Sequence, residues 1–121
     1  MDTKAQTGLR GESIAVDYLR KEGFLICARN WRQGRYEIDI VAQRAGITHV
    51  VEVKTRRAGS LLQPEQTITP TKVAALHKAA TAYIAQNRVM GEVEFDLVAI
   101  DIFPDQNFDI RFIPNIAEMG W

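Results

Sequence analysis

Apolar residues recur along this chain in two periods, near 3.6 and near 2, and the switches between them mark out the elements. From Gly8 to Glu22 the spacing predicts a helix, with Leu9, Ala15, Val16 and Leu19 on one stripe and Gly23 as its stop. Glu12 shares that stripe. Positions 12, 15, 16 and 19 follow the one-face spacing of a helix, so the carboxylate points to the core side or its edge. Phe24 to Arg32 reads as a strand closed by a turn at Gln33-Gly34. Tyr36 to Arg44 and Ile47 to Arg56 alternate as two strands joined by a tight turn at Ala45-Gly46. Ala58 to Pro70 holds Gly59, Pro64 and Pro70 without a period and is expected to be a loop able to move over a site. Thr71 to Asn87 reads as a second helix, its stripe made by Val73, Leu76, Ala80, Tyr83 and Ile84. Val93 to Phe103 and Phe108 to Ile113 complete the pattern as two strands around a turn at Pro104 to Asn107. The order is α, β, β, β, α, β, β, which packs most naturally as an α/β fold with a mixed central sheet flanked by helices.

The second and third strands carry charge where strands usually avoid it. If Ala45-Gly46 is a two-residue hairpin loop, Arg44 faces Ile47, Asp39 faces Glu52 and Glu37 faces Lys54. Alternation then puts Glu37, Asp39, Glu52 and Lys54 on one side of the sheet and Ile38, Ile40, Val51 and Val53 on the other. Two directly opposed carboxylates repel, and partial burial disfavours their charged forms further. A divalent cation such as Mg2+ or Mn2+ offsets both effects, takes carboxylate oxygens, and leaves positions for phosphate. Lys54, on the same face as Glu52, is placed to orient water or to stabilise charge developing on a phosphoryl group. Phosphodiester hydrolysis is the chemistry these parts suit. The same alternation also describes the solvated face of an amphipathic hairpin held by ordinary salt bridges.

Composition narrows the field modestly. At 121 residues, 46% hydrophobic and 25% charged, the sequence fits one compact domain, residues 1–121, able to build a core. No apolar run is long enough to span a membrane and the first residues lack a secretion signal, so a cytoplasmic location and no membrane partner are expected. Cys27 is the only cysteine, which excludes an intrachain disulfide or a thiolate cluster, and it is expected to be a buried apolar residue. His49 falls on the face opposite Glu52 and is expected to be structural, and His77 to be a surface residue. Formal net charge is zero, but residues 1–60 hold 11 basic against 7 acidic side chains and residues 61–121 hold 4 against 8. That asymmetry hints at nucleic-acid contact. Trp31 is expected to pack rather than to stack on a base. Arg10, Arg56, Arg57 and Lys72 are the candidates for phosphate contact.

Asp39, then Glu52-Val53-Lys54 one hairpin later, with Glu12 on a preceding helix, resembles the active-site signature of the PD-(D/E)xK nuclease superfamily. The blocks GLRGESIAVDYLRKEGF, ARNWR, EIDIVA, VVEVKTR and the segment from Pro64 to Lys72 are similar to the YraN-like family of uncharacterised bacterial proteins, themselves similar to archaeal Holliday junction resolvases. The resemblance runs from about Gly8 to Ile102. It implies a restriction-endonuclease-like αβββαβ core, a metal site at Glu12, Asp39 and Glu52, and a catalytic Lys54. Two positions depart from the family pattern: Tyr36 stands where Gly is usual before Glu-Ile-Asp, and Glu94 where Arg is usual before Phe-Asp. The expected activity is a magnesium- or manganese-dependent endonuclease acting on DNA, including branched or junction DNA, by in-line attack of water. Symmetric cutting of a junction would call for a twofold homodimer. The alternative is a protein of the same fold that binds structured nucleic acid, or acts as a scaffold, without cutting it.

Overall fold

The computed structural model describes residues 3–59, 66 and 68–118. Helix α1 spans Lys4–Lys21, followed by strands β1 (Leu25–Gln33), β2 (Tyr36–Arg44) and β3 (Ile47–Arg57), helix α2 (Pro70–Asn87), and strands β4 (Val93–Ile102) and β5 (Phe108–Ile113). The predicted order is the observed one. The five strands form one sheet in chain order, antiparallel except at the parallel β3–β4 junction that α2 spans. This is the expected α/β arrangement, a mixed sheet with two helices.

Helix α1 begins earlier than the apolar stripe suggests because Thr3 and Gln6 form a capping box, each side chain accepting from the other's backbone N–H. Thr69 caps α2 in the same sense, with Pro70 in the first turn where its missing N–H costs nothing. The helices cover opposite sheet faces. Ala15, Val16 and Leu19 of α1 bury Ile40, Ala42, Val51, Val98 and Ile100, whereas Val73, Leu76, Ala80 and Tyr83 of α2 bury Val41, Val50, Phe95 and Leu97. Each large aliphatic side chain so buried stabilises the fold by about 1.5–3 kcal/mol. Trp31 packs into the α2 cluster, edge-on to Tyr83 with ring centroids 5.4 Å apart.

The predicted turn at Ala45-Gly46 is present, with φ of 52° and 78°, and Arg44 pairs with Ile47. Positive φ at both central residues is what a two-residue hairpin loop needs to match the twist of its strands. The predicted register holds from Arg44↔Ile47 to Ile40↔Val51 and stops there. Asp39 and Glu52 are therefore not a ladder pair, nor are Glu37 and Lys54. The alternation also lapses at this point: Ile40 packs under α1, but Ile38, expected on the same side, packs under α2. Beyond Ile40, β2 remains paired only to β1.

Three expectations about single residues are corrected. Cys27 is exposed, because it falls at an irregularity between Ile26 and Ala28 on the edge strand β1. Leu9 is 64% exposed rather than packed on the sheet. Ile84 is only half-buried, and Ala79 takes its place in the α2 stripe. Most of the expected mobile loop, residues 60–65 and 67, lies outside the described residues.

Candidate functional site

Where β2 and β3 part, the sheet becomes a fork. The first half of β2 continues along β1, and the second half of β3 continues along β4 as far as Arg57↔Ile102. Asp39 sits at the crotch, and its Oδ2 accepts the Val53 backbone N–H at 2.8 Å. A side chain thus satisfies a backbone donor on the β2-facing side of β3, and the carboxylate is fixed in position by doing so. A cleft of about 860 Å³ opens here, lined by Glu12, Asn30, Asp39, Lys54, Arg56 and Arg57 among others.

Helix α1 reaches this cleft because Gly11 lies against β3. A Cβ built on Gly11 would come within 1.7 Å of Thr55 Oγ1, so only glycine admits this approach. The next residue, Glu12, is 9% exposed and faces the cleft. Asn30 Nδ2 donates to its Oε1 at 2.7 Å, and Arg29 lies 3.5 Å from the same oxygen. Asn30 adopts φ 48°, a conformation asparagine tolerates better than most residues. Sequence reasoning passed over Asn30 and Arg29; the only signal was their place in the ARNWR block.

Glu52 is 6% exposed and does not line the cleft. Lys72 Nζ, reaching over from α2, lies 3.3 Å from its Oε2. Burial first, then the charge of Asp39 beside it, push the Glu52 carboxyl up to about 7, against the opposing pull of Lys72 and Lys54. The two carboxylates therefore crowd each other as the alternation predicted, but through the fork rather than across a ladder. Of the predicted site residues, Glu12, Asp39, Lys54, Arg56 and Arg57 share the cleft, with Glu52 adjoining Asp39. The oxygens of Glu12, Asp39 and Glu52 do not all come within 4.8 Å of one another.

Arg10 and Lys72 are engaged elsewhere. Arg10 donates to the side-chain and backbone oxygens of Gln106 in the β4–β5 turn. Lys72 is the partner of Glu52 and lines a separate hollow of about 390 Å³ together with Tyr36. The Arg56 Nη1 nitrogen is buried with no hydrogen-bond partner among the described residues.

A second group of ionisable side chains was not foreseen. His49 Nδ1 lies 2.5 Å from Asp96 Oδ2 and 3.2 Å from Glu94 Oε2, and the three could hold a metal ion. His49 and Asp96 are buried. Burial and the neighbouring Glu94 raise the Asp96 carboxyl to about 7, although His49 and the Asn115 backbone N–H favour its ionised form. His49 and Glu94 are direct partners in the parallel β3–β4 ladder, a contact that no local pattern reveals. His77, in contrast, is exposed as expected.

None of the described helices is long and apolar enough to cross a membrane. Comparison with known proteins finds relatives along most of the chain. A UPF0102 protein of Syntrophomonas wolfei is 41% identical over 111 residues, covering 91% of this chain and 96% of its own. A UPF0102 protein of Bacteroides fragilis is 40% identical over 106 residues, 88% of this chain and 87% of the relative, and one of Pelobacter propionicus is 36% identical over 118 residues. Residues 11–100 match the family as a whole, from the close-packed Gly11 through both carboxylate groups to the buried centre of β4. The chain belongs to the uncharacterised protein family UPF0102.

Proposed function

We propose that this protein is a metal-dependent endonuclease that hydrolyses DNA phosphodiester bonds, with branched DNA among its substrates. The observation that carries the reading is the fork, where Asp39 shares a cleft with Lys54, Arg56 and Arg57 and is crowded by the adjoining, partly protonated Glu52. Oxygen donors under mutual repulsion suit a hard divalent cation, so Asp39 and Glu52 fit magnesium or manganese. Glu12 faces the same cleft and would join them on release from Asn30 and Arg29. Bound there, the ion would supply positive charge against a phosphoryl group. The chain's own residues account for the rest. Lys54 holds a non-bridging oxygen and the charge that develops on it. Arg56 and Arg57, which both line the cleft, grip flanking phosphates. The likeness to the PD-(D/E)xK nucleases, in Asp39 and Glu52-Val53-Lys54, supports the same reading.

A second reading, a nucleic-acid-binding or scaffold protein that does not cut, is favoured by one observation. Lys72 occupies Glu52, while Asn30 and Arg29 occupy Glu12, as they would in a retired site. The two readings separate on four-way, flap, single-stranded and duplex DNA incubated with Mn2+ or Mg2+. Cleavage by the wild type, reduced roughly a hundredfold or more in Asp39→Asn and in Lys54→Ala, is the expected result. Salt-sensitive binding without cutting in either metal would leave the second reading, and absence of binding would remove both.

A further inference from the structure

The parallel β3–β4 ladder places His49 beside Glu94, with Asp96 two residues further along β4 and so on the same face. All three lie on the α1 side, where the Phe24 ring stands edge-on to His49 at 4.9 Å. Their donor atoms lie within 4.8 Å of one another. Two of the three ligands are already oriented by a neighbour outside the group. The Asn115 N–H takes Asp96 Oδ1 at 3.0 Å, leaving Oδ2 aimed at the imidazole, and Phe24 fixes the plane of that ring. Such supporting contacts are what hold ligands ready for an ion.

Charge gives a second, independent argument. Among the described residues, neither Glu94 nor Asp96 has a lysine or arginine partner. Ionised together beside a neutral imidazole, the two carboxylates leave the group uncompensated, whereas a divalent ion brings it to zero. Buried charges are retained where they are paired or coordinate metal.

We propose that His49, Glu94 and Asp96 form a cation site of the zinc class, separate from the cleft, which ties β3 to β4. The donor set is one imidazole nitrogen and two carboxylate oxygens, which suits Zn2+ better than Mg2+. Ligand bonds of about 2.0–2.2 Å set tetrahedral donors roughly 3.3 Å apart. The Glu94 oxygen already stands at 3.2 Å from Nδ1, and the Asp96 oxygen needs to withdraw by less than an ångström from 2.5 Å. The Glu94 side chain, 21% exposed, gives the ion its way in and leaves a fourth position for water. The ion binds the two strands together, independently of any chemistry at Asp39.

The test uses the full chain carrying Asp39→Asn and Glu52→Gln, so that the cleft carboxylates do not contribute, with Cys27→Ser and His77→Ala to remove other soft ligands. Zn2+ and Co2+ are titrated by calorimetry and, for Co2+, by visible absorption. One equivalent per chain, a rise in Tm with metal, and a tetrahedral cobalt spectrum are expected. Adding Glu94→Gln or His49→Gln should weaken binding roughly tenfold or more. No binding up to millimolar metal, or affinity unchanged by both substitutions, would overturn the proposal. If His49→Gln does not fold, the partly exposed Glu94→Gln decides alone. Manganese-dependent DNA cleavage by the wild type is a separate readout, so either reading can fail without the other.

Discussion

At neutral pH Glu52 stands near the midpoint of its titration, because burial and Asp39 lift its carboxyl to about 7 from the usual range near 4.3. The folded protein thus holds this proton more tightly than the unfolded chain. The associated stability is full below the unfolded value and is lost as pH rises through about 7, on the order of 3 kcal/mol for a shift of this size. Asp96 acts with the same sign. Glu52→Gln keeps the shape without the titration, so it should match the wild type near pH 5 and exceed it by about 1–3 kcal/mol near pH 8. Urea denaturation at both pH values checks this, and parallel pH profiles for the two proteins would count against it. The Asp39–Glu52 conflict was legible in the alternation of residues 36–56, because it needed only a hairpin turn and a period of two. Cys27 was not, since residue type argues for burial and only the edge position and the irregularity in β1 expose it.

At the scale of elements, one close packing sets the distance between α1 and β3. Gly11 lets the helix settle onto Thr55, and the next residue is the cleft's Glu12. Gly11→Ala should destabilise by about 1–3 kcal/mol, as overpacking does, despite alanine's better helix propensity. It should also lower any cleft activity by moving Glu12. Thermal unfolding reads the first effect, and a stable variant would mean that the helix can lift away freely. The elements themselves were largely readable: both helices, all five strands and the Ala45-Gly46 turn follow from period and turn chemistry. The start of α1 was missed because its capping box lies outside the apolar stripe. The end of β2–β3 pairing was missed because nothing local says where two good strands stop pairing.

For the whole molecule, the sheet repeats the order of the chain, and three of its four junctions join strands linked by a short turn. The parallel β3–β4 ladder is the exception. It joins the basic first half to the acidic second, with Arg56 beside Asp101, and it gathers His49, Glu94 and Asp96 into one group. That group was invisible in the sequence because its members meet only through this long-range pairing. The ladder also fixes how the molecule must assemble in time. Every residue of β3 from Thr48 to Arg57 waits for a partner 45 positions later, so the loop-closure entropy falls due before any of the ten pairs offsets it. The α1–β1–β2–β3 segment, built from neighbouring contacts, is then expected to form the nucleus, with α2–β4–β5 docking late. Ile40→Val within that segment should slow refolding, while Val98→Ala in β4 should mainly hasten unfolding, and stopped-flow chevrons separate the two. The reverse assignment would place nucleation on the parallel seam. A chain that closes this seam last exposes it whenever the fold loosens, and the β3 and β4 edges become the first surfaces open to mispairing with another copy.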